Sequence, residues 1–155
     1  MKVYLNEQIT DEKDAKISVL DHGFLYGDAV FESLRYENNE ILNLKEHIQR
    51  LKHSAKVMQL SVPDIPFKEI ILELVQENNL AKARIRITLS RGISSYNFNT
   101  CNSPTLLIAT VPFQEKRKDF YKGSKTCTLQ MERPVPGIKT TQILPSILAQ
   151  QKMHK

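Results

Sequence analysis

The strongest periodic signal lies between positions 44 and 58. Leu44, Ile48, Leu51, Ala55 and Met58 recur at helical spacing and form one apolar stripe. Asn43 stands where an N-cap belongs, with Glu46 three residues on, a capping-box-like pattern. Pro63 and Pro66 break the chain, and a second helix follows with Phe67, Ile70, Ile71, Leu74 and Val75 on its face, closed by Asn78-Asn79.

Period two takes over at Arg84-Ile85-Arg86-Ile87-Thr88-Leu89-Ser90. That strand buries Ile85, Ile87 and Leu89 and presents Arg84, Arg86 and Thr88 on its other side. Thr105 to Val111 is apolar enough for a strand covered on both faces. Upstream, Val3-Tyr4-Leu5 and Gln8-Ile9-Thr10 read as a hairpin turning at Asn6-Glu7. Residues 11–16 form a charged loop. Ala29 to Tyr36 reads as a strand that Asn38-Asn39 turns back into Glu40-Ile41-Leu42. Strands, paired helices and more strands predict a small α+β domain over 1–112.

Residues 113–123 are charged and aperiodic, a linker. Lys125 to Met131 is strand-like, Pro134-Val135-Pro136-Gly137 forces a turn, and a last helix is expected from near Thr141, with Ile143, Leu144, Ile147 and Leu148 apolar.

Composition narrows the function classes. The chain has 155 residues, 41% apolar and 25% charged, an ordinary globular balance. No stretch reaches the roughly 18 consecutive apolar residues a membrane helix requires. The N-terminus turns polar too soon for a signal peptide, so the expected location is cytoplasmic. Cys101 and Cys127 fit no metal-binding or redox spacing and are expected to be reduced thiols. The net charge of +5 is scattered, and its densest run, Lys116-Arg117-Lys118, meets Asp119 at once with no aromatic platform beside it. Nucleic-acid binding is therefore not expected.

Two positions could carry chemistry. Lys139 lies between an extended segment and a helix start, where the helix dipole and partial burial would each favour the neutral amine that imine formation needs. Read from these facts alone, a surface lysine before a helix is the simpler account. Arg50 shares a stripe with His47 and Ser54 beside the apolar face, and its guanidinium could fork onto a phosphate. Alone, it reads more simply as a boundary arginine covering the core with its stem.

Asp21-His22-Gly23-Phe24-Leu25-Tyr26-Gly27-Asp28-Ala29-Val30-Phe31-Glu32 resembles the N-terminal signature of the class IV pyridoxal-phosphate aminotransferases. That family includes branched-chain and D-amino acid aminotransferases and aminodeoxychorismate lyases. His47-Ile48-Gln49-Arg50-Leu51, Ser90-Arg91-Gly92 and Gly137-Ile138-Lys139-Thr140 with Leu144 to Gln151 are similar to further family elements, in order. The resemblance implies pyridoxal 5'-phosphate as cofactor, Lys139 as Schiff-base lysine and proton shuttle, and Arg50 as phosphate clamp. It puts Phe31 against substrate and implies a homodimer. Its substrates would be an amino acid, branched-chain or otherwise apolar, and a 2-oxo acid; the lyase reaction is the alternative.

The departures carry expectations too. D-amino acid enzymes place an arginine and a histidine where this chain has Tyr96 and Phe98, which points to a more apolar or aromatic pocket. Relatives are longer and draw an acidic partner for the cofactor ring from their later half. Residues 124–155 are thus expected to be the start of a larger, β-rich cofactor-binding domain, and this chain a truncated form, catalytically impaired or a fragment.

Overall fold

Asn38 and Asn39 both adopt left-handed backbone, φ 53° and 62°, the pairing a two-residue hairpin turn needs. In the computed structural model, which describes residues 1–93, 103–113, 135–153 and positions 123, 126, 128 and 130, this turn folds β3 (Ala29–Glu37) onto β4 (Glu40–Ile41). At the other hairpin only the first central residue is left-handed: Asn6, at φ 56°, turns β1 (Lys2–Leu5) into β2 (Gln8–Asp11). With β5 (Ala83–Ser90) and β6 (Thr105–Pro112) these strands make a six-stranded antiparallel sheet in the order β2-β1-β6-β5-β3-β4.

Two helices cover one face of it, α2 (Leu44–Val57) and α3 (Phe67–Glu77). Leu51 and Ala55 of α2 and Ile71 and Leu74 of α3 meet Ile85, Ile87, Leu89 and Ile108 of the sheet, all fully buried. Each of these leucines and isoleucines contributes about 1.5–3 kcal/mol relative to an exposed one. The α+β class read from the sequence is the one observed.

Three local expectations need correction. Asn43 precedes α2 but sits at φ 52°, ψ 36°, and its side chain makes no capping bond, because left-handed backbone turns the amide away from the first turn. The 105–111 strand is not covered on both faces by the described residues. Leu106, Ile108 and Thr110 are buried under the helices, whereas Leu107 and Ala109 are only half-buried, since both helices pack on the other side. The last helix, α4 (Leu144–Met153), begins three residues later than expected.

One element escapes periodicity altogether: α1 (His22–Tyr26). Its N-cap is Asp21, whose carboxylate accepts from the Gly23 N–H at 2.7 Å, and Gly27 ends it in left-handed backbone at φ 66°. Of the linker only positions 113 and 123 are described, and of the 125–131 strand only 126, 128 and 130; the rest of both lies outside the described residues. Among the described residues no helix is long and apolar enough to cross a membrane.

Candidate active site

Alternation along β3 divides its side chains between two surfaces. Val30, Glu32, Leu34 and Tyr36 turn toward the helices, while Phe31, Ser33 and Arg35 face the uncovered side. The segment carrying Lys139 runs antiparallel beside this strand. The Phe31 N–H donates to the Lys139 carbonyl at 3.0 Å, the Thr141 N–H donates to the Ala29 carbonyl at 2.9 Å, and Thr140 pairs with Val30. Directly paired residues share a face, so Lys139 projects beside Phe31, its Nζ 4.9 Å from the ring centroid. The Thr141 hydroxyl donates to the Gly27 carbonyl at 3.0 Å and fixes the segment to the turn after α1. A cavity of about 180 Å³ opens here, with Phe31, Lys139 and Thr140 in its wall.

Arg86 is on the same face, its guanidinium carbon 3.9 Å from the Phe31 ring centroid. One aromatic ring therefore supports two cations. Partial burial pushes the Arg86 guanidinium down from its ordinary value.

The helix-facing side of β3 holds the second half of the site. Glu32 has no exposed surface, yet it carries a carboxylate into an apolar layer. Two residues of α2 meet it. Arg50 donates through Nε to Oε1 at 2.5 Å and through Nη2 to Oε2 at 2.6 Å, and His47 Nδ1 lies 2.7 Å from Oε2. Burial pushes the Glu32 carboxyl up, but the hydrogen bonds from Arg50 and His47 outweigh it and hold the group below the usual carboxylate range. The same hydrogen bond raises the Arg50 guanidinium. One turn further along α2, buried Ser54 accepts the Lys139 N–H at 3.4 Å. The His47, Arg50 and Ser54 stripe thus runs from Glu32 to the backbone of Lys139.

A scaffold of motif residues holds these parts in register. Buried Asp21 accepts hydroxyl hydrogen bonds from Ser90 at 2.8 Å and Thr105 at 2.7 Å, joining the α1 cap to the ends of β5 and β6. Gly23 must be glycine: an added Cβ would stand 2.6 Å from the Ser90 Cβ. Arg91 forks onto Asp28 through Nε and Nη2 and also donates to the Met58 carbonyl at 2.9 Å, past the end of α2. Ser90-Arg91-Gly92 and the Asp21–Asp28 block are therefore two halves of one structural joint.

Of the residues read as candidates, the structure brings Phe31 and Lys139 together and sets Arg50 on the stripe that reaches Lys139 through Ser54. Tyr96 and Phe98 lie outside the described residues. The dipole reading of Lys139 does not hold: Thr140 to Ile143 separate it from the first turn of α4, beyond the reach of that effect. Sequence reasoning missed Glu32 and Arg86. The signal for Glu32 was present, a carboxylate at a helix-facing position between Val30 and Leu34. Chemically, the site offers a primary amine that can take an aldehyde and a half-exposed guanidinium that can take an anion.

Comparison with known proteins gives the family. The family described as amino-transferase class IV matches residues 29–155. A protein of Methanocaldococcus jannaschii, provisionally named a branched-chain-amino-acid aminotransferase, is 38% identical over 96% of this chain and 54% of its own length. The aminodeoxychorismate lyase of Bacillus subtilis is 34% identical over 85% of this chain and 47% of its own length. Among solved structures, the branched-chain aminotransferase of the thermophilic archaeon Thermoproteus uzoniensis, with norvaline, superposes with a TM-score of 0.66 at 31% identity, covering 74% of this chain and 41% of that one. The chain spans about half the length of the curated relatives it matches. It belongs to the class IV aminotransferase family.

Proposed function

We propose that the protein is a pyridoxal-phosphate-dependent aminotransferase that moves an amino group from a branched-chain or other apolar amino acid to a 2-oxo acid. The observation that carries this reading is the pairing of Lys139 with Phe31 on the open sheet face, reached from α2 by the stripe that bears Arg50. When bound, pyridoxal phosphate supplies an aldehyde for covalent attachment and a ring that draws electrons from the substrate Cα.

The chain's own residues then have separable tasks. The Lys139 Nζ holds the aldehyde and, once released, carries a proton to and from the substrate Cα. The Arg50 guanidinium takes the phosphate through N–H groups that Glu32 leaves open. Phe31 presents an apolar wall and keeps the amine and Arg86 on one side of the sheet. Arg86, a fork on that face, suits a substrate carboxylate.

A homodimer is part of the proposal. Val19 and Phe24 are 70% and 74% exposed on the segment around α1, with Leu20 and Leu25 also exposed, an apolar surface that a second copy would cover.

Borohydride reduction of the cofactor-loaded protein tests the assignment, with the label expected on Lys139 by peptide mapping. A label on another lysine, or none, removes the enzyme reading. The relative from Bacillus subtilis gives the lyase a specific claim. Pyruvate and aminobenzoate formed from aminodeoxychorismate, without amino transfer to 2-oxoglutarate, would establish that reaction instead.

A further inference from the structure

We propose that Glu32 is a positioning residue: its buried carboxylate fixes the Arg50 guanidinium so that the arginine meets a phosphate with its outward N–H edge. The inference deepens the reading of Arg50 as the phosphate clamp and rests on it.

A guanidinium has five N–H donors in a rigid fork. Glu32 engages two of them, at Nε and Nη2. Three are left, two on Nη1 and one on Nη2, which also lies 3.3 Å from His47 Nδ1, and the side chain that carries them is 51% exposed. The arrangement is a relay, with the carboxylate behind in the protein, the fork in the middle, and the remaining donors at the surface. His47 closes the rear by meeting Glu32 Oε2 at 2.7 Å, so the carboxylate is itself anchored from α2 at two points.

Two opposed consequences follow for an anion in front of Arg50. As a charge, Glu32 repels it and offsets the arginine's attraction. As an anchor, Glu32 removes the rotamer freedom that a long exposed side chain would otherwise lose on gripping its ligand. The distances favour the anchor. Glu32 makes direct bidentate contact with Arg50, whereas an anion on the outward edge has the guanidinium between itself and the carboxylate. The sign of the effect on removing the charge therefore separates the two roles.

The experiment compares pyridoxal phosphate with pyridoxal, which lacks only the phosphate, by equilibrium titration of the full chain and its variants. The readout is the ratio of the two dissociation constants. A purely structural defect moves both ligands together and leaves the ratio unchanged. The proposal expects Glu32→Gln to lower the preference for the phosphorylated ligand about tenfold, Arg50→Met to abolish most of it, and Glu32→Gln to add nothing to Arg50→Met. An unchanged or increased preference in Glu32→Gln, with the preference lost in Arg50→Met, overturns the positioning role and leaves Arg50 as the clamp. A preference that survives Arg50→Met overturns the clamp and the proposal together. Should Glu32→Gln not fold, Glu32→Asp carries the test. Aspartate keeps the charge but is one methylene too short to hold the Arg50 fork, so a lowered preference supports the proposal and an unchanged one overturns it.

Discussion

Phe31 and Lys139 are joined twice, by a 3.0 Å hydrogen bond from the Phe31 N–H to the Lys139 carbonyl and by the approach of Nζ to 4.9 Å from the ring centroid. The backbone bond sets the register of the lysine segment, and the ring sets the direction of the amine. The same ring carries Arg86. A leucine at this position would keep the backbone bond and lose both cation contacts, worth on the order of 0.5–1 kcal/mol each. Phe31→Leu is therefore expected to retain the fold and to lower kcat/KM by about tenfold, measured at equal cofactor content. Unchanged kcat/KM would show that the ring does not direct the amine.

The Glu32 carboxyl gives stability an acid limit. Its folded-state value lies below the ordinary one of 4.5, because the bonds from Arg50 and His47 outweigh the upward push of burial. The unfolded chain therefore binds the proton first as pH falls. The stabilisation is fully present above about 4.5 and drains away as pH drops through the folded value. Chemical denaturation at several pH values should show this loss in the native protein. Glu32→Gln should be less stable at neutral pH by about 1–3 kcal/mol and should lose less on acidification. An acid limb of equal steepness in the variant would assign the effect to other carboxylates.

Arg91 ties three parts of the chain together: the turn after α1 through Asp28, the end of β5 that it directly follows, and the end of α2 through the Met58 carbonyl. Both charged partners are largely buried, with side-chain exposures of 12% and 16%. Removing one member of such a pair strands the other, at about 3–5 kcal/mol for a buried case. Arg91→Met should cost about 3 kcal/mol in urea unfolding. Because Asp28 adjoins the Ala29 carbonyl that receives Thr141, the variant should also loosen the lysine segment, visible as faster amide exchange at Thr141. A loss below about 1 kcal/mol would mean that the joint is redundant.

What could be read from the sequence followed the length over which burial repeats. The α2 stripe and the β5 alternation each span several residues with one face against the core, so their periods are written in the residues. The α1 helix is too short for a period, and its existence depends on one side-chain cap at Asp21 and one left-handed glycine. The apolar run of β6 suggested two covered faces, but composition cannot say which neighbour supplies the cover. Lys139, Arg50 and Phe31 were legible through resemblance, and their mutual geometry was not. Glu32 was harder still, since its meaning lies in partners on a helix beyond the next turn. A charged residue on a strand reads as exposed until the register shows which face it takes.

Gly92 tests whether the Ser90-Arg91-Gly92 block serves structure or chemistry. Its φ is +76°, and an added Cβ would stand 1.8 Å from the Ser103 carbonyl oxygen, a backbone atom that cannot step aside like a flexible side chain. The Gly92 carbonyl also accepts the His22 N–H at 2.9 Å, so a shift here is passed to α1. Two costs add in Gly92→Ala: left-handed backbone for a residue with a Cβ, about 1–2 kcal/mol, and the displacement of the 103–104 backbone, about 1–3 kcal/mol. The variant should lose roughly 2–5 kcal/mol in thermal or urea unfolding. Pyridoxal phosphate affinity per folded molecule should fall by no more than about threefold, since Gly92 reaches the Lys139 segment only indirectly, through His22 and the turn after α1. A stable variant that fails to bind cofactor would reverse the conclusion and make this turn part of the binding site.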